Sequence, residues 1–384
     1  GRELLLDGRA PRHAEIIKLP ELGQTLRMIA QGGADAFYRG EFAHRLCQHV
    51  NQYGGCMSVT DLSRHTSTWV EPISTRYRGM DVWECPPNGQ GLAALVALGL
   101  AGGMEFGAVG EPERIHALIE CMRLGFDDAA AWVSDPEFNA IPVADLLSAS
   151  RLSERRKLVS AQRALPSLPL RNPLAPGSGT AYLSVVDARG NACSFIQSLY
   201  MGVGTGLVVP GTGVSLQNRG HGFSLDKSHP NALAPGKRPY HTIIPALATR
   251  DGQLFASFGV MGGYMQPQGH VQLISSLLDA GLGPQAALDA PRWQLAGPSL
   301  GGLGADEPGG LLLVEDNMDS TVCSKLEAKG HRIKRVSGFE RVSMGGGQII
   351  LRDSATGVLR GGSDPRTSWE ASQKGDLRRR RANR

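Results

Sequence analysis

The order of apolar and polar residues predicts an α+β fold in layers, with helices packed on a largely antiparallel sheet. Three observations carry this. Apolar residues recur at helical spacing through the first 150 residues. After residue 180, two segments alternate around short polar turns, which is the pattern of β-hairpins. The 50 glycines, roughly twice average usage, have no three-residue period and fall between apolar runs, as tight turns require.

Two helices are expected over residues 20–50. Pro20 suits a first turn, Leu22, Leu26 and Ile29 share a face, Gly32-Gly33 stops the first helix, and Phe42, Leu46 and Val50 line the second. Residues 77–84 read as two short strands around Arg78-Gly79. The turn Pro86-Pro-Asn-Gly-Gln-Gly91 then opens an apolar helix over 92–100, and another helix covers 113–126 with Ile115, Leu118, Ile119 and Met122 inward. A basic, polar helix follows residue 150. Residues 165–179 carry four prolines and cannot form regular structure, so they read as an exposed linker. The first hairpin spans 180–198 with its turn at 188–191, and the second spans 242–260 with its turn at 250–253. A helix over 268–280, with Val271, Ile274, Leu277 and Leu278 on one stripe, covers the hairpins. A strand pair at 348–352 and 358–361 completes the sheet.

Composition excludes several classes. The net charge of +4 is small for 384 residues and is concentrated at Arg378 to Arg381, a solvated tail, so no nucleic-acid footprint exists. Six scattered cysteines form no C-x-x-C pair and indicate reduced, mostly buried thiols. His221, His229 and His270 lack ligand spacing, so neither a metal nor a cofactor is expected. No apolar run reaches 18 residues, which excludes a membrane partner; the chain as given reads as soluble, with the cytoplasm favoured. There is no G-x-S-x-G elbow, no H-E-x-x-H and no G-x-x-x-x-G-K-[ST].

One junction carries chemistry. The linker ends at Gly179, and Thr180 opens a strand, so a flexible residue precedes a hydroxyl that can attack the carbonyl of that residue. Cleavage there would give Thr180 a free α-amine, with an ordinary pKa near about 8, to take the proton from its own Oγ1. By residue pattern alone, Thr180 can equally be a threonine that starts a strand.

From Pro20 almost to its end the chain resembles the γ-glutamyltransferase family. The residues that carry the likeness are Ala34-Asp-Ala-Phe-Tyr-Arg-Gly40, Pro86-Pro-Asn-Gly-Gln-Gly91, Ser184-Val-Val-Asp187, Gly204-Thr-Gly206, Asn231-Ala-Leu-Ala-Pro-Gly-Lys-Arg-Pro239, Gly262-Gly263 and Ser363-Asp-Pro-Arg366. The resemblance implies an αββα N-terminal-nucleophile fold and a precursor that cuts itself before Thr180. The resulting pieces, 1–179 (helix-rich) and 180–384 (with the nucleophile and hairpins), stay together as a heterodimer around one core. It implies cleavage or transfer of the acyl group of γ-glutamyl or glutaryl-like amides, such as glutathione, through an acyl-enzyme. By the same resemblance Gly262 and Gly263 supply the oxyanion hole, Ser198 orients Thr180, and His241 and Thr242 stand where a hydroxyl pair holds the substrate carboxylate.

Departures from the family pattern bear on substrate. Residues 216–223, which include the substrate-binding candidates Arg219 and Gly222, occupy the place of a family stretch whose second acidic residue binds the substrate ammonium. That position is Gly222 here, and Tyr200 replaces a family Asn at the same end of the substrate. A buried ammonium without a carboxylate partner is costly, so these changes resemble the acylase-like branch, whose donors lack the amine. The family also carries a region before the equivalent of residue 1, including an Arg that clamps the carboxylate, so the sequence given is expected to be a piece of a longer product. The competing reading is an uncleaved, non-catalytic homologue or fragment with a binding or structural role.

Overall fold

The computed structural model describes residues 4–12, 14–106, 110–165, 179–296 and 311–366. Most of the expected linker (166–178) and the arginine-rich tail lie outside the described residues. In chain order the first elements are α1 (Pro20–Tyr38), α2 (Glu41–Gln52), α3 (Val59–Ser63), β1 (Ile73–Tyr77), β2 (Met80–Glu84), α4 (Gly91–Gly102) and α5 (Glu111–Trp132). Then come α6 (Val143–Leu146), α7 (Ala149–Arg156), β3 (Thr180–Val186), β4 (Ala192–Ser198), β5 (Val208–Val209) and β6 (Val214–Ser215). The rest are β7 (Ala246–Arg250), β8 (Gln253–Val260), α8 (Met265–Leu278), α9 (Pro284–Asp289), β9 (Trp293–Ala296), β10 (Leu311–Glu315), α10 (Ser320–Ala328), β11 (Ile333–Val336), β12 (Gly347–Arg352) and β13 (Leu359–Ser363).

The chain packs as two compact units, residues 1–69 with 199–218, and residues 70–198 with 219–384. In the first, Phe42, Leu46 and Cys47 of α2 meet Val209, with Met28, Phe37 and Val214 around them. Two details there refine the sequence reading. Gly33, at φ 63° and ψ −159°, stops the helical run where expected, but a second helical stretch follows at once and the two together make the kinked α1. Leu26, expected on the inner face, stands exposed, and Thr25 is buried in its place through a hydrogen bond to Thr212 O.

The second unit holds a six-stranded sheet in the order β1-β2-β7-β8-β12-β13, in which every adjacent pair is antiparallel. Side chains alternate between the two faces along β8, as the two-residue period requires, and from Ala256 to Val260 both faces are buried. Ala256, Phe258 and Val260 face α4, α5 and α8 in the main core, while Ser257 and Gly259 face the β3-β4 hairpin. Helix α4 is buried from Gly91 to Ala101. The core combines residues before and after position 180, with Leu95, Leu118 and Met122 against Phe258, Ile274 and Leu351.

The hairpin docks on the sheet through hydroxyls and one tight aromatic contact. Ser184 Oγ donates to Ser257 Oγ at 2.5 Å, Tyr182 and Ser194 share a 2.7 Å hydroxyl contact, and Ser194 Oγ donates to Phe258 O at 3.2 Å. Burial pushes the Tyr182 phenol up to about 12, which keeps it a neutral donor. The outer face of the hairpin leaves Leu183, Val185 and Phe195 exposed. The described residues therefore build an α-β-β stack, three of the four layers of the expected αββα arrangement. Gly259 makes the docking possible, since a Cβ there would lie 2.4 Å from the Tyr182 ring. Gly259→Ala is expected to cost about 1–3 kcal/mol through overpacking, read as a lowered Tm in a calorimetric scan.

A further sheet, β11-β10-β9, has β10 parallel to β11 through α10 and antiparallel to β9. It was not legible in the sequence.

Candidate active site

Thr180 and Ser198 face each other as the terminal pair of the β3-β4 ladder. Thr180 Oγ1 donates to Ser198 Oγ at 2.9 Å, which fixes its rotamer and aims a lone pair away from the serine. Two residues inward, Tyr182 and Ile196 pack on Met261, the residue before the glycine pair, with Ile243 beside them. One small apolar cluster thus ties the threonine strand, the Gly262-Gly263 turn and the Thr242 segment together.

Gly262 adopts φ 126° and Gly263 φ 61°, conformations that residues with a Cβ rarely take. A Cβ on Gly262 would sit 2.9 Å from Met265 Cβ and 3.2 Å from Gly345 Cα. The carbonyls of both glycines start α8, accepting from Met265 N at 3.0 Å and Gln266 N at 3.2 Å. With the carbonyls so engaged, the two amide N–H groups are the polar groups this turn has left to offer, and neither donates to a partner among the described residues. Gln90, the fifth residue of the Pro-Pro-Asn-Gly-Gln-Gly turn, spans the site: its Nε2 donates to Thr242 O at 2.7 Å and to Gly263 O at 2.9 Å.

Arg219, buried in a short 3₁₀ turn over Arg219–Gly222, donates from Nη1 to Thr242 Oγ1 at 2.5 Å. Its charge reaches His241: burial first, and the Arg219 guanidinium second, pull that imidazole down to about 3. His241 is therefore neutral near pH 7. Its Nδ1 accepts from Ile243 N at 3.2 Å, which assigns the proton to Nε2. Gly222 packs against Tyr240 O, which would lie 3.0 Å from an added Cβ. Its own carbonyl accepts from Asn231 Nδ2 at 2.6 Å, and Asn231 Oδ1 accepts from Tyr240 N at 2.9 Å. Asn231 thus clamps the 3₁₀ turn to the segment that carries His241 and Thr242. Tyr200, the remaining sequence candidate, belongs to the first compact unit, where it is buried with φ 78°.

The sequence profile of the gamma-glutamyltranspeptidase family matches residues 2–373. The chain belongs to this family. Relatives include the glutathione hydrolase-like YwrD proenzyme of Bacillus subtilis, 37% identical over 94% of this chain and 66% of that one. The oxamate amidohydrolase proenzyme of Klebsiella pneumoniae is 33% identical over 96% of this chain and 67% of its own. Among solved structures, the cephalosporin acylase from Bacillus halodurans superposes with a TM-score of 0.85 at 46% identity, covering 94% of this chain and 63% of that one. The chain spans about two thirds of the length of these gamma-glutamyltranspeptidase-family relatives. The fold is accordingly the α+β N-terminal-nucleophile type of the family, and the likeness to acylases within it stands. No helix among the described residues is long and apolar enough to cross a membrane.

Sequence reasoning missed Gln90, Asn231 and Asp135 as individual residues, although the first two lie inside the motifs that carried the resemblance. Asp135 Oδ2 accepts from Arg238 N at 2.7 Å and so anchors the Asn231 segment from α5's side. It also missed a cluster of ligand-type atoms: His116, Glu120 and His331 converge within 4.8 Å, all buried. The geometry is that of a hydrogen-bonded histidine pair. His116 Nε2 donates to Ser160 O at 2.8 Å, so its Nδ1 is an acceptor and takes the His331 Nε2–H at 2.7 Å. Nitrogens bound to one tetrahedral metal stand farther apart, about 3.4 Å for bonds near 2.1 Å. Arg123, donating to Glu120 Oε1 at 3.2 Å, already places a cation beside the cluster. Glu120 Oε2 also accepts from Leu165 N, which ties residue 165 to α5.

Proposed function

We propose that the chain carries the reaction centre of a self-processing N-terminal-threonine amidohydrolase or acyltransferase, cut between residues 179 and 180. The observation that carries this reading is Thr180 at the first position of a docked strand, its Oγ1 oriented by Ser198, within a cluster that also holds the Gly262-Gly263 turn. Thr180 Oγ1 attacks the amide carbon of the donor, and the α-amine of Thr180 takes the proton and returns it to the leaving amine. The N–H groups of Gly262 and Gly263 stabilise the tetrahedral oxyanion. Water or an acceptor amine then releases the acyl group from Thr180. A denaturing gel with N-terminal sequencing tests the first step: two pieces, one beginning Thr-Ala-Tyr-Leu, are expected, and an uncut chain overturns self-processing.

The donor is read as the monoamide of a dicarboxylic acid without an α-ammonium, glutaryl-like rather than γ-glutamyl. Arg219 and Thr242 form a cationic, hydrogen-bonding pair suited to a carboxylate, with a neutral His241 beside them. The same charge repels an ammonium, and Gly222 has no acid to hold one. The names of the oxamate amidohydrolase and cephalosporin acylase relatives agree with this direction. Arg219→Gln is expected to lower kcat/KM for a glutaryl anilide by about 10- to 100-fold, the worth of a hydrogen bond to a charged group. A wild-type preference for the γ-glutamyl over the glutaryl anilide would overturn the assignment.

A further inference from the structure

Directly behind the glycine turn lies a buried pair that the proposed chemistry does not use. His270 of α8 and Glu84, the last residue of β2, are both fully enclosed, with His270 Nδ1 2.6 Å from Glu84 Oε1. His270 Nε2 accepts from Val260 N at 3.2 Å. That bond settles the tautomer: Nε2 carries the lone pair, so Nδ1 carries the proton and donates it to the carboxylate. Glu84 Oε2 makes no hydrogen bond among the described residues, so His270 is the partner that holds this side chain. Burial pushes the Glu84 carboxyl up to about 6, against the pull of His270.

Val260 ends β8, and the next three residues are Met261, Gly262 and Gly263. The backbone of this corner is held on one side by the residue before β12, where Met261 N donates to Gly346 O at 2.8 Å, and on the other by the start of α8. His270 joins the two arms, reaching from the second turn of α8 back to the last amide of β8. Gly269 permits the approach, since a Cβ there would lie 2.6 Å from Val260 Cγ1. Val260 N is thus the amide next but one before the Gly262 N–H, and its direction is set by a side chain that Glu84 orients.

We propose that His270 and Glu84 are positioning residues for the oxyanion hole, fixing through the Val260 N–H the direction in which the Gly262 and Gly263 amides point. This rests on the reading of those amides as oxyanion donors. A donor aimed where charge develops contributes to the transition state and little to ground-state binding. Loss of the Val260 bond therefore lowers kcat and spares KM.

The test compares His270→Leu, which fills the space without an acceptor, with His270→Gln, whose Oε1 can still take the Val260 N–H. Rates on a chromogenic anilide are expressed per titrated Thr180 N-terminus, at a temperature where circular dichroism shows every variant folded. His270→Leu is expected to lower kcat by on the order of 10²-fold, the cost of an ångström-scale misplacement, with KM unchanged, and His270→Gln to recover most of the loss. Should the leucine variant not fold, His270→Asn takes its place, being polar like glutamine but one methylene too short to reach Val260. An unchanged kcat, a loss confined to KM, or equal losses in the glutamine variant and its comparator overturns the proposal. Gly262→Ala run in parallel separates the two ideas. If Gly262→Ala lowers kcat and the His270 variants do not, the positioning role falls alone; if Gly262→Ala has no effect, the oxyanion reading falls with it.

Discussion

Thr180→Ala is expected to leave the purified protein as one uncut chain with almost no amidase activity. The alanine keeps the strand, because the β3-β4 ladder is backbone-bonded and Tyr182, Ser184 and Ser194 still dock the hairpin. What it removes is the hydroxyl proposed to serve twice, first on the carbonyl of Gly179 and then on the donor amide. Removing the nucleophile of a hydrolase that works through a covalent intermediate costs roughly 10⁶ in kcat, with residual catalysis from the oxyanion donors alone. Gel mobility reads the first effect and anilide turnover the second. A variant still cut between 179 and 180 would show that Thr180 is not the attacking group.

Gly262→Ala is expected to have the next largest effect. The backbone there sits at φ 126°, outside the range of L-residues, and the new methyl meets Met265 Cβ and the Gly345 backbone, neither of which lies at the end of a flexible side chain. The turn must shift, and with it one of the two proposed oxyanion donors. A lost donor typically costs 10²–10³ in kcat, and the crowding about 1–3 kcal/mol of stability. Stopped-time assays at saturating donor separate the kinetic term from the thermal shift. Wild-type kcat with only a lowered Tm would show that these amides do not serve the reaction.

The hairpin that carries Thr180 and Ser198 was legible to within a residue, because Pro- and Gly-rich sequence breaks sharply into a period-two pattern that ends at a polar turn. Helix α8 was legible as a helix but not in character. Gln266, Gln268, His270 and Gln272 are polar, yet all are buried. Gln266, Gln268, His270 and Gln272 each accept a backbone N–H, from Ile244, Leu295, Val260 and Trp293 respectively. Composition cannot tell a polar residue satisfied by backbone from one satisfied by water. The sheet of β9, β10 and β11 escaped for another reason: strands of four or five residues give too few alternations, and a parallel pair has no turn to announce it. In the site, Thr180 and the glycine pair could be named from sequence and resemblance. The bond from Arg219 to Thr242 spans 23 positions and is visible only once the chain is folded.

The apolar core that joins α4 and α5 to β8 and α8 has a consequence for how the processed protein melts. Its residues come from both sides of position 180. Once the chain is cut, neither piece has a complete interior of its own, and unfolding changes from a one-body to a two-body event. Its Tm should then rise with protein concentration, refolding after dilution should slow as the pieces search for each other, and the uncut Thr180→Ala chain should show neither dependence.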